Sequence, residues 1–171
     1  ELYIVATNLE NGEAVYLEPN KKNYYKCLQA TSSLPFFTKG SCKINGVNFM
    51  DGAWSDSIPA KSAADFGATK IIVIRPNPLG YKLNGLSYLG LAAGYWWKNN
   101  PKVRGIFFKE DNKYNEAVDF LTKKHENLEI LQIYPDNFLK SSVVGTSTDD
   151  LTQDYHSGLE KGMDFLNTYF L

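Results

Sequence analysis

Apolar and polar positions along the chain fall into short runs whose period changes several times. Leu2–Thr7 reads as a strand, and Asn11-Gly12 followed by Ala14–Leu17 supplies the turn and return strand of a hairpin. Tyr24–Ser33 has helical character and is stopped by Pro35. Cys42–Ile44 and Val47–Met50 flank Asn45-Gly46, a strong short hairpin signal. A helix is expected over Pro59–Phe66, with Ser57 as cap, Pro59 in the first turn and Gly67 at its end. "KIIVIR", Lys70–Arg75, is a β-branched run typical of a strand covered on both faces. That helix and strand together read as half of a parallel crossover unit.

The second half opens with a Pro-, Asn- and Gly-rich loop, "PNPLGYKLNG". Ser87–Trp97 is apolar and aromatic and predicts a helix despite Gly90 and Gly94. Asn115–Lys124 predicts a helix, Leu128–Tyr134 a strand, and Leu139–Thr148 a polar, irregular stretch. Over Thr148–Phe170, Leu151, Tyr155, Leu159, Met163 and Leu166 recur on one helical face. Alternating strands and helices predict an α/β fold with a largely parallel sheet and hairpin additions.

Composition narrows the function classes. The 171 residues are 43% apolar and 22% charged, enough for the core of one domain. The net charge of −1 leaves no electrostatic footprint for nucleic acid, so no nucleic-acid partner is expected. Cys27 and Cys42 make neither a disulfide framework nor a C-x-x-C pair and read as buried thiols. His125 sits in a charged helix end and His156 on the last helix; neither has a partner at metal-ligand spacing. No metal or cofactor is expected, and the expected location is cytoplasmic. No apolar run is long enough to span a bilayer. The chain begins with Glu1 and enters a strand at once, which reads as the later part of a longer protein.

Asp51 is the chemical candidate. It follows the strand "VNFM" and precedes Gly52-Ala53, at the carboxyl end where open α/β folds place their chemistry. Gly52 is expected either at positive φ or in a tight backbone contact. Asp-Gly is also a common turn pair, so opening a turn is the plainer role for Asp51.

"ATSSLPFF" at Ala30–Phe37, followed by "INGVNFMDGAWSDSIPAKSAADFGATKIIVI" at Ile44–Ile74, resembles the patatin-like phospholipase family. Asp51, Gly52 and Ala53 match that family's Asp-Gly-Gly/Ala motif in its Ala form, and Ile133–Gly162 resembles the tail of bacterial members. The resemblance implies a three-layer fold with a mainly parallel central sheet, and a lipid acyl hydrolase with a Ser-Asp dyad. Asp51 would be the base, and the substrate a lipid or other ester. It also implies a Gly-x-Ser-x-Gly nucleophile and a Gly-rich oxyanion loop, both preceding the Asp. Gly85–Gly90, "GLSYLG", has Leu89 where that motif needs Gly, and no Gly-rich oxyanion loop occurs. Residues 1–171 are therefore expected to be the C-terminal part of a single domain. That part would be inactive alone, and its partner would be the missing N-terminal part of the same polypeptide. Without that part, "YIVAT" and "KIIVI" are expected to lose sheet partners. The alternative is a non-enzymatic binding or scaffold domain of the same fold. The aromatic end of Ser87–Trp97 also suggests transient membrane contact, against which a core helix is the preferred expectation.

Overall fold

The computed structural model describes residues 1–85, 87–142 and 145–171. Leu86, and Val143 and Val144 within the expected irregular stretch Leu139–Thr148, lie outside the described residues. The elements run β1 Ile4–Asn8, β2 Ala14–Leu17, α1 Tyr24–Thr31, β3 Cys42–Ile44, β4 Val47–Asp51 and a 3-10 turn Gly52–Trp54. They continue with α2 Ala60–Asp65, β5 Lys70–Ile74, α3 Tyr88–Trp96, α4 Pro101–Phe107, α5 Glu110–Thr122, β6 Glu129–Ile133 and α6 Thr148–Tyr169. The chain forms two compact units, Glu1–Lys61 with Lys82–Phe120, and Ser62–Tyr81 with Leu121–Leu171.

In the first unit four strands pair antiparallel in the order β2-β1-β4-β3. The β3–β4 turn has positive φ at both Asn45 (48°) and Gly46 (90°), the backbone a two-residue hairpin demands. Phe49 and Met50 are neighbours on β4, so the pleat sends them to opposite faces. Phe49 joins a core with Ile4, Ala6, Cys27, Ala30 and Ile44, while Met50 joins Trp54, Ala93, Val103, Ile106 and Phe107. Trp54 meets Phe107 edge to face, ring centroids 4.7 Å apart. α4 goes beyond the sequence reading. Its signal is present: the Asn100 side chain caps Val103 N at 3.2 Å, Pro101 stands in the first turn, and Val103, Ile106 and Phe107 are buried at helical spacing.

In the second unit β5 and β6 form a parallel ladder, with Ile72 opposite Leu131 and Ile74 opposite Ile133. The described strands thus fall into one antiparallel and one parallel sheet, where the sequence predicts a largely parallel one. The crossover also differs: β4 and β5 lie in different sheets, and β5 returns parallel to β6 after α3, α4 and α5. Nor is β5 covered on both faces, since Ile72 and Ile74 are exposed and only Val73 is buried. The apolar stripe expected on the last helix lies on α6, but Leu151, Tyr155, Leu159, Met163 and Leu166 are all exposed. No described helix is long and apolar enough to cross a membrane.

Candidate functional site

Asp51 closes β4 and its backbone is fixed from two sides. Its N–H donates to the Ser33 carbonyl at 3.0 Å, and its carbonyl accepts from Thr7 Oγ1 at 2.7 Å. The chain leaves the strand at Asp51 with φ −49° and ψ 131° and enters the 3-10 turn, where Asp51 Oδ1 accepts from Ala53 N at 2.8 Å. Among the described residues Oδ2 accepts no hydrogen bond. Burial pushes the Asp51 carboxyl above its ordinary value, and the Ala53 N–H pulls it partly back. The capping role of a turn Asp is therefore real, and it occupies one of the two oxygens.

Gly52 and Ala53 contribute differently. Gly52 is buried, and a Cβ there would lie 2.4 Å from the Val5 carbonyl oxygen, so β1 passes against it as only a glycine allows. Of the two expectations for this residue, the tight backbone contact is the one found. Ala53 is exposed and supplies its N–H to Asp51.

Polar groups continue around the turn. Thr7 Oγ1 lies 2.8 Å from Ser55 Oγ, which also donates to the Gly52 carbonyl at 3.3 Å. Tyr16 OH donates to Asp56 Oδ2 at 2.5 Å, and Lys113 Nζ donates to the Ser55 carbonyl at 3.4 Å. Burial lowers the Lys113 ammonium, while the nearby Asp56 carboxylate works in the opposite direction. Ser33 is buried and its hydroxyl donates to the Gln29 carbonyl at 2.6 Å. Among the described residues, then, the nearby hydroxyls are committed elsewhere than to the Asp51 carboxylate. Thr7, Ser33 and Lys113 escape a sequence reading because each reaches this turn from a different element.

Ser33 also leads to an aromatic groove. Pro35, Phe36, Thr38, Lys39, Gly40, Ser41, Trp96 and Trp97 line a cavity of about 280 Å³. Phe36 takes φ 68°, a left-handed conformation that is unusual for so bulky a residue. Its ring meets Trp96 edge to face at 5.7 Å. α3 packs on the core, as a core helix does, through Gly90, Ala93 and Gly94, yet it leaves Tyr95 and Trp96 about 70% exposed. Ser87, at its start, accepts from Gly90 N at 2.9 Å and donates to Glu110 Oε2 at 2.9 Å, a pairing not anticipated from sequence.

The remaining candidates are quieter. Cys27 and Cys42 are buried free thiols, as expected of two cysteines that make neither a disulfide framework nor a C-x-x-C pair, and burial raises the Cys27 thiol. His156 is exposed on α6 beside the Tyr155 ring. His125 follows the end of α5. No cluster of three His, Cys, Asp or Glu able to hold a metal occurs among the described residues.

Two similarities to known proteins stand beside this geometry. Residues 100–170 match the model of a domain of unknown function, DUF6363, which spans α4 to α6 and does not include Asp51. Over 166 residues the chain is 29% identical to Uncharacterized protein YjjU of Escherichia coli (strain K12). The alignment covers 97% of this chain and 46% of that relative, so the chain spans about half the length of the curated relative it matches. These findings overturn the assignment to the patatin-like phospholipase family. The matching model belongs to a different domain family and lies over the other end of the chain, and YjjU carries no family name. Asp-Gly-Ala in a hairpin-to-helix setting is a short pattern, and a turn capped by Asp with glycine against a neighbouring strand produces it for structural reasons alone.

Proposed function

We propose that Asp51 is the base of a two-residue serine ester hydrolase whose hydroxyl is supplied by polypeptide outside residues 1–171. The observation that carries this reading is the state of the carboxylate. It sits at the carboxyl end of a strand, half-buried, with Oδ1 pinned by Ala53 N and Oδ2 without a hydrogen bond among the described residues. A serine hydroxyl needs a base within hydrogen-bond reach, and burial brings a carboxylate closer in proton affinity to that task.

The substrate class is a lipid-like ester. The groove lined by Phe36, Trp96 and Trp97 offers apolar surface for an acyl chain, and exposed Tyr95 and Trp96 suit transient contact with a lipid interface. The free thiols Cys27 and Cys42 fit a reducing compartment, and the cytoplasm is the location proposed.

Hydrolysis of a p-nitrophenyl acyl ester by the polypeptide as encoded tests the assignment. Asp51→Asn is expected to lower kcat by about 10²–10⁴, since the amide keeps the shape but cannot take a proton. A fluorophosphonate probe is expected to label a serine outside residues 1–171. Activity within a few-fold of the parent removes Asp51 as base; no turnover and no labelling supports a non-catalytic binding domain instead.

A further inference from the structure

We propose that β5 and the exposed stripe of α6 form a docking face for a strand-and-helix segment of the same polypeptide that lies outside residues 1–171. It holds whether or not Asp51 is a base.

Three observations converge on this face. β5 has one neighbour, β6, so among the described residues its other edge is open. A two-stranded sheet is marginal by itself, and parallel sheets occur almost only with further strands and with helices over both faces. Secondly, the edge is thinly protected, with Lys70 at its start as the one charge on β5. Ile71–Ile74 contains no charge and no proline, and Lys70 is paired with Glu129 at 3.1 Å. Strands that stay at an edge are normally blunted by such residues, so this one is built to be paired. Thirdly, the uncovered side chains are apolar and continuous. Ile72 is 46% exposed and Ile74 77%, and Leu159 and Met163 on α6 are 54% and 50% exposed. Ile72, Ile133, Leu159, Met163 and Phe170 line a trough of about 490 Å³, deepened where Gly158 and Gly162 carry no side chain.

The occupant follows from the same features. An open parallel edge takes a strand, and an apolar trough beside it takes the helix that accompanies such a strand. The surface is too apolar to be left free between encounters, which favours a permanent partner in the same chain. Length agrees: more than half of the YjjU relative lies beyond the region matching this chain.

Maleimide labelling of the polypeptide as encoded tests the proposal. Ile74→Cys and Leu159→Cys are compared with Tyr25→Cys, whose position in the first unit is 83% exposed. Labelling of the first two is expected to be at least about tenfold slower than of the third, at every protein concentration, because reaction must await local opening. Hydrogen exchange of the Ile72 and Ile74 amides in the unsubstituted polypeptide gives the same reading without a substitution: Arg75 N donates to the Ile133 carbonyl of β6, so by alternation these two amides face the other edge, and their protection is expected. Labelling as fast as at Tyr25→Cys together with unprotected amides overturns the proposal. Protection that appears only at concentrations where light scattering shows a dimer also overturns it, in favour of a second copy.

Discussion

The α-carbon of Gly52 stands so close to β1 that a Cβ would lie 2.4 Å from the carbonyl oxygen of Val5. The neighbour is backbone and cannot swing away. Gly52→Ala is expected to cost at least about 1–3 kcal/mol, the range for overpacking. Gly105→Ala in α4, where a Cβ meets nothing within 4 Å, is expected to be neutral or to stabilise by about 0.5–1 kcal/mol. Urea midpoints of the two variants measure the contrast. Equal midpoints would show that β1 and β4 can separate without cost.

Asp51 gives a pH dependence of stability with a definite sign. Its folded pKa is raised by burial, so the folded chain holds that proton more tightly than the unfolded chain does. Between the unfolded and folded values the native state binds more protons, and stability falls as pH rises. Below the unfolded value the effect is absent. Asp51→Asn removes the ionisation and retains an acceptor for Ala53 N. The variant's thermal midpoint, relative to the parent, is therefore expected to improve from about pH 3.5 to about pH 7. A difference that stays constant or moves the other way would show that the Ala53 hydrogen bond outweighs burial.

Ser87 has two roles that one substitution separates. Its hydroxyl caps α3 through Gly90 N and also donates to Glu110. Ser87→Ala is expected to cost about 1 kcal/mol for the lost cap. The Glu110 carboxyl is already raised by burial, and the Ser87 bond holds it down. In the variant it is expected to titrate higher still. A carboxyl titration by NMR reads this, and an unchanged Glu110 curve would mean that the pair is not formed in solution.

What could be read in advance depended on whether the information was local. Asn45-Gly46 prescribes its hairpin because few other residues accept two consecutive positive φ angles. The helical period of Thr148–Phe170 and the β-branched run Lys70–Ile74 likewise identify α6 and β5. Asp51 was legible as a strand-end carboxylate. Its fixed Oδ1 was not, because that depends on the 3-10 turn following it. The pairing of Ser33 with Asp51 and the approach of Val5 to Gly52 join segments distant in the chain, and no periodicity records them. The apolar pattern of β5 and α6 signalled covered surfaces. A pattern states what a face requires and not which segment meets it, hence the exposure of Ile74 and Leu159. The family resemblance failed for a related reason: a short motif records a turn geometry that several folds can use.

The chain order of the strands also sets the timetable of synthesis. All four strands of the antiparallel sheet lie between Ile4 and Asp51, so the whole sheet is free to pair once Asp51 has left the ribosome. Lys70–Ile74 comes next, yet its ladder partner Glu129–Ile133 emerges only after α3, α4 and α5 have been made. Throughout that interval the most β-branched segment of the chain has no strand within residues 1–171 to pair with. Every slowing of translation between Arg75 and Leu128 lengthens the time it waits for Glu129–Ile133.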